Sequence, residues 1–378
     1  DANPAPHTAD DLAWLFFTSG TTGTPKGAMI THGNLEAVVD SYLTDVDRPP
    51  IGASLIHFAP LSHGSGIYLF PFLARSAVSV CGPTPRMTPD LLFELIAHWS
   101  DCSMFAAPTI VQRMTVAARA CAPDTRNLRT IVYCGGPLYL EDLHRAADVF
   151  GPVFAQIYGQ GESPMTITVQ SRERFSHALA TGDDAYLSSV GQPFSELDVS
   201  IADKIGTQLP VGEVGEILVK GRTVVSGYWR DPDATARTIR DGWLRTGDLG
   251  RCDAAGCITL VGRSKETIIT GGSNVYPIEV ETVLSDHDNV AEVAVAGTAS
   301  PEWGETVLAF IVPKRSETSI NSVGDIDIAK ALDAHCSSRL ARFKCPKHYV
   351  FCDALPKNAY GKVDKRKLIA DHAQQSAG

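Results

Sequence analysis

The chain has 378 residues, enough for two or three domains with substantial cores, and its 44% hydrophobic and 20% charged residues are ordinary for a soluble globular protein. The formal net charge of −10 argues against a nucleic-acid partner, because phosphate backbones are bound by clustered Lys and Arg. Because no uninterrupted apolar run approaches bilayer-spanning length, no transmembrane segment is expected.

The nine cysteines are irregularly spaced and include no CxxC pair. This pattern is not that of a disulfide framework or a zinc site. It predicts reduced thiols, most of them small core residues, in a cytoplasmic protein.

The segment FFTSGTTGTPKG, residues 16–27, follows a short apolar and aromatic run that predicts a buried strand over residues 12–17. Its glycines allow close approach of the backbone to an anion, its hydroxyls can donate hydrogen bonds, and its lysine adds a positive charge. The spacing is not that of a P-loop NTPase, and the next helix is expected to begin near Thr31 and reach Leu43. We predict a polyphosphate cradle, with a Gly-rich linker as the alternative, at Thr18, Ser19, Gly20, Thr21, Thr22 and Lys26.

From residue 12 to about residue 188, short apolar runs alternate with helical patterns. Strands are predicted at residues 54–58, 77–81, 103–106, 130–133 and 153–158. Helices are predicted between them, for example at residues 89–99 and 139–150. This alternation predicts an α/β fold with a doubly wound sheet, whose ligands bind at the carboxyl ends of the strands.

The remainder of the chain predicts two further regions. Short strands separated by turn residues over 189–262 indicate a small β subdomain, including a hairpin that turns at residues 253–256. After residue 262, helices at 277–284 and 326–338 and strands at 290–297 and 307–313 predict a compact α+β domain.

Seven further motifs follow the glycine-rich segment along the chain. They are LSHGSG from Leu61, CGGPL from Cys134, YGQGES from Tyr158, GEILVKG from Gly215, WLRTGDLG from Trp243, GRSKETIITGGSNVYPIEVE from Gly262 and PKNAYGKVDKRKL from Pro356. In sequence and in order, these eight motifs resemble the adenylate-forming superfamily, which includes acyl-CoA synthetases, peptide-synthetase adenylation domains and firefly-type luciferases.

The resemblance implies a domain organisation. Residues 1–188 would form part of a nucleotide- and acyl-binding domain, residues 189–262 its β subdomain, residues 263–266 a hinge, and residues 267–378 a mobile C-terminal domain. It also implies an N-terminal segment, ahead of the phosphate loop, that packs against this chain. The chain, which opens with Asp1, is therefore expected to be a fragment or a cleavage product.

The implied reaction is attack of a carboxylate on the α-phosphorus of ATP, which brings two anions together. At about 4 Å and an effective dielectric constant near 20, such a contact costs roughly 4 kcal/mol, so positive charge is required. Lys362 matches the family lysine that bridges the two anions, although the residue type alone also fits a solvated surface lysine.

Glu162 matches the carboxylate that holds Mg²⁺ on the nucleotide, with a helix-capping acid as the alternative. Gly161 replaces the usual Thr, so a hydroxyl that contacts the α-phosphate is absent.

The resemblance also implies contacts with adenine and ribose. Tyr158 would stack on adenine, and Asp248 would accept both ribose hydroxyls; a core aromatic residue and a turn residue are the respective alternatives. Arg263 would contact the ribose or a phosphate. The full set of nucleotide residues outside the phosphate loop is Gly135, Gly136, Pro137, Tyr158, Gly159, Gln160, Gly161, Asp248 and Arg263.

The acyl and thiol sites complete the expectations from the resemblance. His63 matches the residue that guards the carboxylate pocket, and Gly64 replaces the Asp of amino-acid-activating relatives, so an amino acid is a poor substrate. An aliphatic or aromatic acid is favoured by predominantly apolar pocket walls, predicted at Ile67, Tyr68, Phe105, Ala106, Ala107, Pro108 and Met165.

After adenylation, rotation about Lys265 would present a tunnel for the pantetheine arm, lined by Gly271 and Gly272 unless these form an ordinary hairpin turn. Nine basic residues between 339 and 367 would either bind CoA phosphates or stay solvated. The sequence thus predicts an ATP-, Mg²⁺- and coenzyme A-dependent carboxylic acid–CoA ligase. A carrier-protein-loading enzyme and an inactive nucleotide-binding remnant are the alternatives, and the oligomeric state is left open.

Overall fold

The computed structural model describes residues 5–18, 25–62, 64–82, 87–136, 138–314, 325–357 and 363–376. The chain divides into two compact units. The first comprises residues 1–246 and 250–260, and the second comprises residues 247–249 and 261–378.

The strands and helices of both units follow in chain order. The strands are β1 Leu12–Thr18, β2 Lys26–Thr31, β3 Ser54–His57, β4 Val78–Cys81, β5 Cys102–Ala106, β6 Leu128–Tyr133, β7 Phe154–Gln160, β8 Ser163–Gln170, β9 Gln192–Pro193, β10 Asp198–Ala202, β11 Gly215–Lys220, β12 Ile239–Arg240, β13 Trp243–Cys252, β14 Ile258–Arg263, β15 Ile268–Thr270, β16 Ser273–Val275, β17 Val290–Ser300, β18 Gly304–Pro313 and β19 His348–Phe351. The helices are α1 His32–Ser41, α2 Gly64–Ile67, α3 Leu69–Leu73, α4 Pro89–His98, α5 Pro108–Cys121, α6 Leu140–Phe150, α7 Arg172–Thr181, α8 Asp184–Leu187, α9 Pro232–Thr238, α10 Pro277–Ser285, α11 Asp325–Ser337 and α12 Lys365–Ser376.

A seven-stranded sheet forms the centre of the first unit, in the order β4-β3-β5-β6-β7-β8-β9. The strands from β4 to β7 are parallel, whereas β8 and β9 run antiparallel to their neighbours. Helices α4 to α8 cover one face of this sheet through a core that includes Ile96, Met114 and Phe154. The other face packs through Tyr42, Phe105 and Ile157 into a second core. The prediction of a doubly wound α/β sheet is confirmed.

Local signals place the helix that follows β2. Thr31 caps α1 through a reciprocal pair of hydrogen bonds with Asn34, as predicted for a helix that begins near this residue. The α-helix ends at Ser41, earlier than predicted, and continues as one π-helical turn, Tyr42–Val46. This turn places Tyr42 in the second core.

The predicted strand at residues 12–17 is present as β1, but its burial differs from the prediction. It pairs with β2 in a separate two-stranded sheet, not with the central sheet. Only Phe16 of this strand is buried, and Phe17 is 60% exposed. The prediction of a buried strand was wrong because an isolated hairpin has one face to bury, and here that face packs with Ile30 and Val38.

A second, five-stranded sheet has the path β10-β11-β13-β12, with β14 paired to β13. Most of it belongs to the first unit, whereas residues 247–249 of β13 and 261–263 of β14 belong to the second. The second unit contains another five-stranded sheet, with the path β16-β15-β18-β17 and β19 parallel to β18. Helices α10 and α11 pack on this sheet through Val280, Leu284 and Leu332, whereas α12 packs through Leu368 into a separate cluster. The predicted hinge contains a short 3₁₀ turn, Ser264–Glu266.

Two global features concern the chain as a whole. Among the described residues, no helix has the length and apolar character needed to cross a membrane. All nine cysteines are free thiols, five of them buried.

Candidate active site

The β1–β2 hairpin holds both ends of the predicted phosphate loop. Thr18 and Lys26 are paired directly across the two strands, and β2 was not predicted from the sequence. On its other edge β2 receives Tyr228, which bridges to Ala28. The Lys26 Nζ atom lies 5.1 Å from the centre of the Tyr228 ring, a distance typical of a cation–π contact. Ser19, Gly20, Thr21 and Thr22 lie outside the described residues.

Glu162 lies in the tight turn between β7 and β8, where two hydroxyls meet its carboxylate. Tyr228 donates from its hydroxyl to Glu162 Oε1 over 2.5 Å, and Thr18 Oγ1 donates to the same oxygen over 3.3 Å. Burial, followed by the nearby Glu162 carboxylate, raises the pKa of Tyr228, so its hydroxyl stays protonated and acts as the donor. One carboxylate oxygen, Oε1, therefore accepts hydrogen bonds from two donors.

The surroundings of Gly161 show why this position, where the family usually has Thr, carries no side chain. A Cβ atom at this position would lie 2.3 Å from Thr18 Cγ2 and 2.9 Å from Phe16 Cδ1. Real Cβ atoms do not approach so closely, so a Thr at this position would displace β1 side chains. The Thr18 side chain occupies the space that the family threonine would take.

The predicted adenine wall lies at the carboxyl ends of two neighbouring parallel strands. Gly135 and Gly136 follow β6, and a Cβ atom at Gly135 would meet nothing within 4 Å. Tyr158 is in the adjacent strand β7 and is 7% exposed, within the second core. That burial favours the core alternative, and stacking on adenine stays a prediction. Pro137 lies outside the described residues.

Gly159 and Gln160 end β7 beside the same edge. A Cβ atom at Gly159 would lie 2.7 Å from Met165 Cα, so only glycine allows β7 and β8 to approach this closely. Gln160 donates from Nε2 to the carbonyl of Thr246 over 3.0 Å. Met165, directly across from Gly159, adopts a positive φ of 60°, which is unusual for a residue with a side chain.

Within the second unit, Asp248 and Arg263 form an ion pair, with Arg263 Nε 2.8 Å from Asp248 Oδ1. The Asp248 side chain is buried and that of Arg263 is 43% exposed. The structure therefore brings these two predicted nucleotide residues together. Their contacts with ribose or phosphate stay predictions.

Gly271 and Gly272 form the two-residue turn between β15 and β16, as the hairpin alternative expected. Their φ angles are +55° and +80°, values that favour glycine in hairpin turns of this length. A Cβ atom at Gly271 would lie 2.9 Å from Trp303 Cε3, so an indole ring covers one side of the turn. Lys265, the predicted hinge residue, lies in the 3₁₀ turn.

The predicted acyl-pocket residues do not all share one side of the sheet. Phe105 and Tyr68 are in contact, with ring centres 5.6 Å apart, and Met165 packs against the same core. Ala106 packs into the core on the opposite face, because successive residues of a strand point in opposite directions. Ile67 packs with the β1–β2 hairpin. Tyr68, Phe105 and Met165 thus share one core, and Ala106 lies in the core on the opposite face. Met165 also packs against the cluster that contains Ile67.

The space around Gly64 concerns the prediction that an amino acid is a poor substrate. Its Cβ position would lie 2.6 Å from Met165 Cε and 2.8 Å from Phe105 Cζ. An Asp at this position, which would pair with a substrate ammonium group, has no space unless those side chains move. His63 lies outside the described residues.

Three lysines of the predicted basic cluster form ion pairs with acids. Lys344 binds Glu279 at 2.6 Å, Lys357 binds Glu292 at 2.6 Å, and Lys365 binds Glu281 at 2.7 Å. These ion pairs favour a structural role for the three lysines over CoA binding. Lys362 lies outside the described residues.

No three His, Cys, Asp or Glu side chains gather into a metal cage anywhere in the part of the chain that the structure describes. A single carboxylate such as Glu162 nevertheless suits Mg²⁺, which usually takes one or two carboxylates together with phosphate oxygens and water. The residues therefore fit a metal that arrives with a nucleotide.

No sequence signal predicts the contact between Tyr228 and Glu162, which are 66 residues apart. Tyr228 follows the GEILVKG motif in an irregular segment, and only the pairing of that segment with β2 brings its hydroxyl to the carboxylate. Trp303 was also missed, because its contact with Gly271 joins two segments that are distant in sequence.

A doubly wound sheet with glycine turns and an acidic residue at its carboxyl edge, followed by a separate α+β unit, is the arrangement expected from the resemblance to adenylate-forming enzymes. Residues 1–229 match the model of the AMP-binding enzyme family, and residues 279–362 match that of the AMP-binding enzyme C-terminal domain. The chain belongs to the AMP-binding enzyme family, which confirms the predicted resemblance.

Similar proteins include carboxylic acid–CoA ligases. The medium/long-chain-fatty-acid–CoA ligase FadD8 of Mycobacterium tuberculosis (strain ATCC 25618 / H37Rv) is 33% identical over 96% of this chain, and feruloyl-CoA synthase of Amycolatopsis sp is 34% identical over 95%. The chain spans 61% and 70% of their respective lengths. The structure of o-succinylbenzoate CoA synthetase from Bacillus subtilis, in complex with the acyl-adenylate intermediate OSB-AMP, superimposes with a TM-score of 0.81 at 29% identity, covering 96% of this chain and 69% of that one.

Proposed function

We propose that this chain carries the machinery of an ATP-dependent carboxylic acid–CoA ligase that works through an acyl adenylate. One observation carries the proposal: the Glu162 carboxylate is held by Thr18 and Tyr228 beside the hairpin whose loop matches the family phosphate cradle. A fixed carboxylate next to a glycine- and hydroxyl-rich turn suits a metal-bound polyphosphate. Family membership and the names of the relatives support the same reaction class.

In the first half-reaction a carboxylate oxygen of the acid attacks the α-phosphorus of ATP. A new P–O bond forms, the bond between the α-phosphorus and the bridging oxygen breaks, and pyrophosphate leaves with that electron pair. Lys362 would stabilise the negative charge that gathers where the two anions meet. Lys26 and the loop that contains Ser19, Gly20, Thr21 and Thr22 would hold the β- and γ-phosphates.

Mg²⁺, when bound with the nucleotide, would neutralise phosphate charge and favour departure of pyrophosphate. Glu162 would hold it through the carboxylate oxygen that faces away from Tyr228 and Thr18. Asp248 and Arg263 would orient the ribose, and Gly135, Gly136, Pro137 and Tyr158 would enclose the adenine. His63 would close the carboxylate pocket.

In the second half-reaction the thiol of coenzyme A loses its proton, sulfur bonds to the acyl carbon, and the bond from that carbon to the AMP oxygen breaks. A rotation about Lys265 would bring Gly271 and Gly272 to the pantetheine arm, where a side chain would obstruct a thin ligand. The products are an acyl-CoA and AMP. The free thiols of the protein suit a reducing compartment, so the cytoplasm is the proposed location.

The test is pyrophosphate exchange into ATP with a panel of aliphatic and aromatic acids, followed by acyl transfer to free CoA or to a phosphopantetheinylated carrier protein. We expect exchange that falls by at least about 100-fold in Lys362→Ala and in Glu162→Gln, because each removes a charge acting on the reacting phosphates. Lys330→Ala, which removes an exposed lysine of α11, is the matched control and should leave exchange unchanged.

Transfer to the carrier but not to CoA would support the carrier-loading alternative. Nucleotide binding without exchange for any acid would support the inactive remnant. Either result would reject the proposed ligase.

A further inference from the structure

Lys365, at the start of α12, forms ion pairs with two acids from different parts of the second unit. Its Nζ atom lies 2.7 Å from Oε1 of Glu281, a residue of α10. The same atom lies 3.5 Å from Oε2 of Glu266, in the 3₁₀ turn of the predicted hinge. All three residues belong to the second unit, so the contacts are internal to it. One side chain therefore joins α10, α12 and the hinge turn.

The two acids differ in their exposure to water. The side chain of Glu281 is 10% exposed, and its Oε1 atom also accepts a hydrogen bond from the N–H of Val295 over 2.8 Å. A buried carboxylate needs a partner of opposite charge, so the pair with Glu281 holds Lys365 in place. The side chain of Glu266 is 47% exposed, and an exposed ion pair contributes little to stability. The contact with Glu266 therefore requires an explanation other than stability.

The position of these residues in the chain supplies that explanation. Lys365 follows the proposed catalytic lysine, Lys362, by three residues. Glu266 directly follows Lys265, the proposed pivot of the rotation. The ion pair between Lys365 and Glu266 therefore joins the chain next to the catalytic lysine to the chain next to the pivot.

The backbone that enters α12 is held by pairing with an earlier segment. Val363 forms an antiparallel bridge with Lys357, and the N–H of Asp364 donates to the carbonyl of Pro356 over 2.8 Å. These contacts fix the backbone immediately before Lys365. The side chain of Lys365 extends this fixed segment to the hinge turn.

We propose that Lys365 is a positioning residue for adenylation, which holds the chain after Lys362 at a set place relative to the hinge turn. The inference rests on the proposed function, in which Lys362 acts where the two anions meet and the second unit turns about Lys265. A misplacement of about 1 Å at a reaction centre can lower a rate by about 100-fold. Glu281 holds Lys365 within the unit, and Glu266 sets its place relative to the pivot.

The experiment measures the two half-reactions separately, with an acid from the panel that supports exchange. Pyrophosphate exchange reports adenylation, and acyl transfer to CoA from the supplied acyl adenylate reports the second step, in which no phosphorus is attacked. In Lys365→Met we expect kcat for exchange to fall by about 10- to 100-fold. The KM for ATP and the rate of acyl transfer should change by less than about threefold, because neither depends on the placement of Lys362. Lys365→Arg keeps the positive charge and should exchange within about threefold of wild type.

Glu266→Gln tests the same link without disturbing the buried ion pair between Lys365 and Glu281. Removal of this exposed charge should lower kcat for exchange by about three- to fivefold and leave the urea midpoint unchanged. The double variant Glu266→Gln/Lys365→Met should be no slower than Lys365→Met, because both changes remove the same contact. A change below about twofold in Glu266→Gln would overturn the inference, including where Lys365→Met does not fold.

Lys330→Met is the matched control, because Lys330 is an exposed lysine of α11, in the same unit, that lies 3.9 Å from Asp327. Its exchange should equal that of wild type. An equal loss of both half-reactions in Lys365→Met would indicate a general loss of structure and would overturn the inference, while the proposed function would stand. Undiminished exchange in Lys365→Met would have the same meaning. Absence of exchange in the wild-type chain with every acid would reject both.

Discussion

The substitution Tyr228→Phe tests the geometry of the carboxylate directly. It removes one oxygen atom, the donor of the 2.5 Å hydrogen bond to Glu162 Oε1, and leaves the ring that packs against Lys26. Thr18 then remains as the other donor to this oxygen, at the longer distance of 3.3 Å. We therefore expect Glu162 to lose its fixed orientation without loss of the surrounding core.

The magnitude follows from the charge of the acceptor. A hydrogen bond to a charged group contributes about 1.5–3 kcal/mol, and each 1.4 kcal/mol corresponds to about tenfold in an equilibrium constant. We expect ATP binding in the presence of Mg²⁺ to weaken by about 10- to 100-fold, because the metal depends on the placement of this carboxylate. Binding of ATP in EDTA should change by less than about threefold, because the metal is then absent.

Calorimetry with ATP at several Mg²⁺ concentrations gives both values, and Mn²⁺ binding followed by electron paramagnetic resonance gives a second measure that does not depend on turnover. Tyr186→Phe serves as the control, because Tyr186 is a buried tyrosine of α8 whose carbonyl accepts from Gln170, at the opposite end of β8 from Glu162. Equal weakening in Mg²⁺ and in EDTA would indicate a general loss of structure. Unchanged Mg²⁺ dependence would refute a positioning role for Tyr228.

Three further predictions concern stability. Gly161→Thr should lower the free energy of unfolding by about 1–3 kcal/mol through its overlap with the Thr18 methyl group, and adding Thr18→Ser, which deletes that methyl, should recover much of the loss in urea denaturation. Gly271→Ala should cost about 1–2 kcal/mol in the same assay, because its φ is +55° and its Cβ would meet the Trp303 ring; a cost below about 0.5 kcal/mol would contradict this geometry. Burial lowers the pKa of His57, so as the pH falls below about 6.5 the unfolded chain binds a proton before the folded chain does. The free energy of unfolding should therefore decrease below that pH by up to about 1.4 kcal/mol per pH unit. The pH dependence should have a smaller slope in His57→Gln.

Much of the fold could be predicted from the sequence, because local patterns specify it. The strands predicted at residues 103–106 and 130–133 are short and largely apolar, as strands buried on both faces require, and they lie within β5 and β6. Thr31 caps the helix that begins after it with its own side chain. The hairpin β1–β2 could not be assigned in the same way. Lys26 to Thr31 has no alternating pattern of its own and becomes a strand through pairing with β1.

The candidate site could be predicted in its motifs but not in its contacts. YGQGES identifies Glu162, yet its two hydroxyl donors lie 144 residues before it and 66 residues after it, at Thr18 and Tyr228. Such contacts depend on how the strands are arranged in the fold, and the periodicity of nearby residues in the sequence does not reveal them. The placement of Phe105 and Ala106 on opposite faces of the sheet could have been predicted. Successive side chains of a strand point to opposite faces, so the assignment of strand β5 alone implies it.

The glycine at position 161 and the threonine at position 18 form one structural arrangement. The Thr18 methyl group fills the space that a side chain at Gly161 would need, while the Thr18 hydroxyl donates to Glu162. A family-type threonine at 161 would push Thr18 away and remove one of the donors that fix the carboxylate. Position 161 therefore lacks a hydroxyl for the α-phosphate, but the absence of a side chain there allows β1 to approach closely enough for Thr18 to help position Glu162.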